Sequence, residues 1–236
     1  MNIDTIPTAR APTSSLRHRG RGLITAPAVA GIAYATAWVL GLAVWPSNLD
    51  VAASHAKVLA TYRAHQGAAM TQYMLVEGVA ALALAVVVIA LGRAARRNEA
   101  DRLGAVTVVA GLTAVALSLV ECALGLLLAG SVAPERETER AGSLFDLINR
   151  IDGLKMLALA ATAVAGFALV RRAVLPRSLG YTAALLTVAL IASAAGYLLL
   201  NTTLAQAAYV SGPLLLVWVT RAGIALARTH RSRGAA

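Results

Sequence analysis

The chain has 236 residues, 58% of them hydrophobic and only 14% charged, with a formal net charge of +10. A water-soluble domain carries about 25% charged residues, so one soluble globule is a poor fit. The basic residues lie in gaps and tails and form no basic helix interleaved with stacking aromatics, which argues against nucleic acid as a partner and for anionic headgroups.

Residues 1–22 are polar, with Pro7, Pro12 and four arginines, and read as a disordered basic cytosolic tail. The apolar run that follows is longer than the roughly 7–15 residues of a signal-peptide core. Six apolar stretches lie near 23–45, 69–91, 104–129, 154–170, 179–200 and 204–220. Each reaches or approaches the ~20 residues a helix needs to cross about 30 Å of hydrocarbon. The expected fold class is all-α: a polytopic transmembrane helical bundle with six spans, its domain covering 23–227, followed by a basic cytosolic tail over 228–236.

The first span carries Gly31, Ala35 and Gly41, small residues that permit close helix packing. It ends at Trp45-Pro46, where the indole suits the outer headgroup level and the proline stops the helix. Ser47-Asn48-Leu49-Asp50 then caps a short helix with Val51, Val58, Leu59 and Tyr62 near one face. Two readings fit that helix: it lies on the outer membrane surface, or it packs on the bundle as an ordinary loop helix. The short polar turn Arg93–Arg102 makes spans 2 and 3 a hairpin. The long gap 130–153 begins with the solvated Pro134–Arg140 and ends with the amphipathic Leu144–Ile151, which leads straight into span 4. Pro176–Gly180 turns tightly into span 5, and Asn201–Thr203 pairs spans 5 and 6. Gly212-Pro213 is expected to kink span 6, because proline removes a backbone hydrogen bond.

Orientation follows from lysine and arginine. The N-tail, the gaps 92–103 and 171–178 and the C-terminal side hold fifteen of them; the other side holds six. Positive charge stays on the cytosolic face, so both termini are expected in the cytosol.

The stretch Leu144-Phe-Asp-Leu-Ile, Asp152-Gly-Leu-Lys-Met156, Arg171 and Leu175-Pro-Arg-Ser-Leu-Gly180 resembles an uncharacterised bacterial family of six-span integral membrane proteins, a domain of unknown function. Tyr62 and His65 before span 2, and a glutamate within it, belong to the same resemblance. It implies a six-helix fold and a multi-pass protein of the bacterial inner (plasma) membrane, and it implies no established activity.

A charge in hydrocarbon costs about 2.5–3.5 kcal/mol on insertion scales, so the few charged residues inside the spans are informative. Glu77 in span 2 and Glu121 in span 3 both lie about 12 Å below the outer surface at 1.5 Å per residue. On an antiparallel hairpin they can face each other. Lys155 and Asp152, three apart on one helix face at the outer edge of span 4, can reach them. Tyr73 lies one turn above Glu77. These five residues are the candidate ligand or ion site, expected as a polar cavity open to the outside with Glu77 and Glu121 at its floor. A buried Glu–Lys bond that only fixes helix packing is the structural alternative. His55 and His65 are weak candidates for a metal, with spacing that matches no strong motif, and no metal or other cofactor is expected. Cys122 beside Glu121 reads as a small apolar filler.

Two function classes are in play. The first is a helical-bundle scaffold, or an accessory or regulatory membrane module, consistent with the short cytosolic gaps. The second is a small-solute or cation/proton-linked transporter built on Glu77 and Glu121. A membrane enzyme ranks third, because only scattered Glu, His and Lys offer a catalytic set. The expected partners are the lipid bilayer and either a second copy of the chain or another membrane protein.

Overall fold

The computed structural model describes the backbone of residues 16–45 and 49–233, and the side chains of 26–45 and 49–228. Residues 1–15 of the tail expected over 1–22, Pro46 with its expected helix stop, the Ser47-Asn48 part of the cap and the last three residues lie outside them. The described residues form only helices and turns. The helices are α1 (Leu16–Val44), α2 (His55–Ala64), α3 (Gln66–Arg96), α4 (Asp101–Glu135), α5 (Thr138–Arg171), α6 (Arg177–Leu198), α7 (Thr202–Ala205) and α8 (Ala208–Arg233). Six are long and apolar enough to cross a membrane. Alanine and leucine, which dominate them, are strong helix formers. Hydroxyls inside the helices donate back to their own turn, as Thr107 does to the Leu103 carbonyl at 2.7 Å and Ser193 to the Ala189 carbonyl at 2.8 Å. Polar groups in an apolar bundle are thereby satisfied without a partner helix.

The long helices close a ring in the order α1, α3, α4, α5, α6, α8 and back to α1. One end of the ring is rich in arginine; the other is covered by α2 and α7. At the arginine-rich end, glycine lets backbones touch. A Cβ on Gly223 of α8 would lie 2.3 Å from the Pro27 carbonyl oxygen of α1. Similarly, Gly104 of α4 leaves only 3.1 Å between an added Cβ and the Gly92 carbonyl oxygen of α3. Leu91, Leu169, Leu186, Trp218 and Leu226 fill the main core there. Large apolar side chains such as Leu82, Val109, Val164 and Val188 face outward from the ring.

Three connections end alike. Glu99, Ala173 and Leu200 adopt left-handed φ of 55°, 58° and 51°. The residue after each reaches back to a helix carbonyl: Ala100 to Ala95 at 3.1 Å, Val174 to Leu169 at 3.0 Å, Asn201 to Gly196 at 2.7 Å. These are left-handed helix stops built without glycine.

Several expectations change. α1 is already helical from Leu16, inside the expected tail, and α8 continues to Arg233 through the expected C-terminal tail. Pro213 is accommodated inside α8. The amphipathic Leu144–Ile151 does run into span 4, so α5 starts at Thr138 and places Lys155 mid-helix, not at its outer edge. α3 and α4 each contain a π-helical segment, Met74–Val79 and Leu128–Val132, which the pattern of apolar residues did not signal. The loop helix α2 packs on the bundle: Val58 and Tyr62 are buried against α5 and the end of α4. Trp45 is buried too, edge-on to Tyr62 at 5.1 Å. The indole is therefore drawn into a small aromatic core with Tyr62 and Phe145 instead of a headgroup belt.

Candidate functional site

Lys155 is the hub. Its Nζ lies 2.8 Å from Glu77 Oε2, 2.5 Å from Glu121 Oε2 and 2.8 Å from Asp152 Oδ1. An ammonium has three N–H groups, and each carboxylate supplies one oxygen. α5 provides Lys155 and Asp152 one turn apart; α3 and α4 provide the glutamates across the ring. Glu77 sits in the π segment, where an extra residue per turn re-aims the side chains relative to an α-helix. Glu77 lies much nearer Gln66 than Arg96 along α3, and Glu121 nearer Glu135 than Asp101 along α4, so the cluster lies toward the capped end.

Three carboxyl groups meet one ammonium, in a setting where an uncompensated charge is costly. Glu121 Oε1 adds to this: it is buried and has no hydrogen-bond partner among the described residues. Such an arrangement suits the uptake of protons or of a cation.

Two spaces meet at Lys155. On one side is a cavity of ≈520 Å³ at the capped end, lined by Trp38 of α1, Asp152 and Lys155 of α5, Tyr197 of α6 and Gln206 and Tyr209 beyond it. Its volume is typical of small-molecule sites. On the other side is a void of ≈20 Å³ beside Tyr34, Glu77, Ser118 and Lys155, enough for about one water. The expected floor of the cavity is thus corrected. Asp152 and Lys155 form it, while Glu77 borders the small void and Glu121 lies behind the lysine. The reason is that Lys155 sits mid-helix, between the α6 side and the α3–α4 side. Side-chain exposure falls along this line, from 19% at Asp152 through 7% at Lys155 to 2% at Glu121.

Tyr73 does not bond to the carboxylates. Its hydroxyl pairs with that of Tyr62 at 2.8 Å, and its ring occupies the place of a side chain at Gly125. Burial pushes the Tyr62 hydroxyl up to about 12. His55 ties α2 to α5 through Glu139, 3.1 Å from Nδ1, with Asp146 3.8 Å from Nε2. His65 is exposed at the junction of α2 and α3. Among the described residues, no group of three or more His, Cys, Asp or Glu is arranged to hold a metal ion. Cys122 is buried. Near the cavity mouth, Asp50 Oδ1 accepts from the Ala52 amide at 2.9 Å and from the Thr202 hydroxyl at 2.6 Å. The Ala52 amide, then Thr202, then the charge of Lys57 hold the Asp50 carboxyl below its ordinary range.

Sequence reasoning passed over Tyr34 and Trp38, which line the small void, and Asp50, which lines the cavity. Two aromatics four apart in an alanine-rich span were the available signal for the first pair. Nothing local marked Asp50 as more than a helix cap.

No family model matches this chain, and no curated protein or solved structure shows significant similarity to it.

Proposed function

We propose that the chain is a multi-pass protein of the bacterial plasma membrane that takes a small solute into its cavity from the outer side and links occupancy to the protonation of the Lys155 cluster. It acts on this reading as a proton-linked transporter. The carrying observation is that Lys155 faces the cavity and two buried glutamates at once. A solute charge arriving at Asp152 changes the field on Glu121, whose spare oxygen has no other partner among the described residues. Orientation rests on arginine: Arg93, Arg96, Arg97, Arg171, Arg172 and Arg177 crowd the turns at one end, the pattern of a cytosolic face. Both termini then lie in the cytosol and the cavity opens outward. The outward apolar side chains, with exposed Tyr181 and Tyr209 near opposite ends, suit a bilayer with aromatic rims. Kinship with the uncharacterised six-span family belongs to the same proposal.

The test is uptake into proteoliposomes of a panel of labelled cationic, neutral and anionic solutes, with and without an imposed pH gradient. Gradient-dependent flux that disappears in Glu121→Gln, with the melting temperature kept, supports the reading. Absence of flux for the whole panel, with Glu77→Gln and Glu121→Gln altering stability alone, sinks it. That second outcome would favour the scaffold reading, which has its own support: one lysine joins helices α3, α4 and α5.

A further inference from the structure

The walls and floor of the cavity identify a ligand class. We infer that the ≈520 Å³ cavity binds a monovalent organic cation with an apolar body. This rests on the proposed solute-linked reading for access from outside, and goes further by naming the ligand.

Sign comes first. The residues lining the cavity include two carboxylates, Asp50 and Asp152, and one ammonium, Lys155. That ammonium is not available to an anion, because three carboxylate oxygens already surround it at 2.8, 2.5 and 2.8 Å. An anionic ligand would have to displace one of them and add negative charge to a cluster in which carboxyl groups already outnumber the ammonium three to one. A cation meets the opposite situation. Asp152 is the most exposed member of the cluster and lines the cavity, with its Oδ1 2.8 Å from the lysine.

Shape and polarity come next. Leu42, Met156, Leu190, Leu215 and Leu216 line the walls. Among the described residues no group of three or more His, Cys, Asp or Glu is placed to hold a metal ion, and hydrocarbon walls offer little to a hydrated one. A cation bearing hydrocarbon suits them, and Met156 is a pliant wall for a varied shape. Trp38 and Tyr197 add aromatic rings to the lining, and such rings attract a cation through their quadrupole. Bringing a positive charge to Asp152 offsets negative charge that protons otherwise balance, so binding releases protons and tightens as pH rises.

Gly212 supplies a clean probe. It lines the cavity, and a Cβ added there meets no atom within 4 Å. A side chain added at Gly212 therefore starts in open space, and Gly212→Phe tests whether the cavity is the binding site. The experiment is equilibrium dialysis of full-length protein in lipid nanodiscs against tetraphenylphosphonium and tetraphenylborate, which share a shape and differ in sign, with empty nanodiscs subtracted. Saturable phosphonium binding is expected, about tenfold or more tighter than borate, weakened about tenfold by Asp152→Asn as expected for loss of a charged partner, and abolished by Gly212→Phe at an unchanged melting temperature. If Asp152→Asn does not fold, Asp152→Glu is expected to retain binding and Gly212→Phe decides. Borate binding as tightly as phosphonium, or phosphonium binding indifferent to Gly212→Phe, overturns the inference. Phosphonium binding without proton release leaves the ligand class standing and removes the proton linkage. Gradient-driven flux of a neutral or anionic solute, with no phosphonium binding, does the reverse.

Discussion

The two ends of the bundle use the same six helices differently. At the arginine-rich end the chain is dry and close-packed: Gly223 meets Pro27, Gly104 meets Gly92, and Leu91, Leu169 and Leu226 are fully or nearly fully buried. Toward the capped end α1, α5, α6 and α8 surround the cavity, and the ionic cluster borders it through Asp152 and Lys155. Both π segments also lie toward that end. A close-packed half and a half with free volume and a charged cluster are what a protein needs if one end is to hold the helices in register while the other accommodates a guest. Small residues make the difference twice over, by closing the backbones at Gly223 and by leaving open space at Gly212.

The comparison can be broken most forcefully at its charged point. Lys155→Met leaves three carboxylates without their cation, and a buried pair broken this way typically costs about 3–5 kcal/mol. A large drop in melting temperature at neutral pH is expected, narrowing in acid, where protons replace the missing cation. A variant as stable as the parent at neutral pH would show that the cluster is not buried in lipid-embedded protein.

Next in size is a matched pair of glycine variants. Gly223→Leu forces the α1–α8 backbones apart, and overpacking of this kind costs about 1–3 kcal/mol. Gly212→Leu enters open space and is expected to be neutral or slightly stabilising, since glycine is about 1 kcal/mol less favourable than alanine within a helix. Denaturant or thermal unfolding in mild detergent measures both. Equal losses at the two sites would erase the distinction between the halves.

Smaller still is Tyr62→Phe in the cap. It removes the hydroxyl pair with Tyr73, worth about 1 kcal/mol, and leaves the aromatic core with Trp45 and Phe145 in place. The folded state holds the Tyr62 proton more tightly than the unfolded chain does. Its contribution is therefore full below the ordinary tyrosine range, near 10, and is lost as pH rises through about 12. Alkaline melting curves should show that loss in the parent and a shallower slope in Tyr62→Phe.

The mildest prediction concerns the turn between α5 and α6. Ala173 holds φ 58°, a conformation that costs a residue with a Cβ roughly 1–2 kcal/mol. Ala173→Gly relieves that cost and gives back part of it in chain entropy, so a gain of at most about 1 kcal/mol is expected from unfolding curves. A loss would mean that the alanine methyl packs usefully in that turn.

Amino-acid order alone carried a good deal. Length and apolarity imply six helices long enough to cross a membrane, which the structure contains. Short polar turns determine which neighbours pair. The meeting of Glu77, Glu121 and Lys155 was also legible, because helical rise converts residue number into depth and three costly groups at one depth have reason to converge. Tertiary structure decided the rest. The ring order, the burial of Trp45 under Tyr62 and the diversion of Tyr73 to that same tyrosine depend on which faces meet, and apolar faces of alanine, leucine and valine are nearly interchangeable in sequence. The cavity is the clearest case. Empty space has no residues of its own, so only the packing of α1, α5, α6 and α8 around it could reveal that Asp152, and not the two glutamates, lines it.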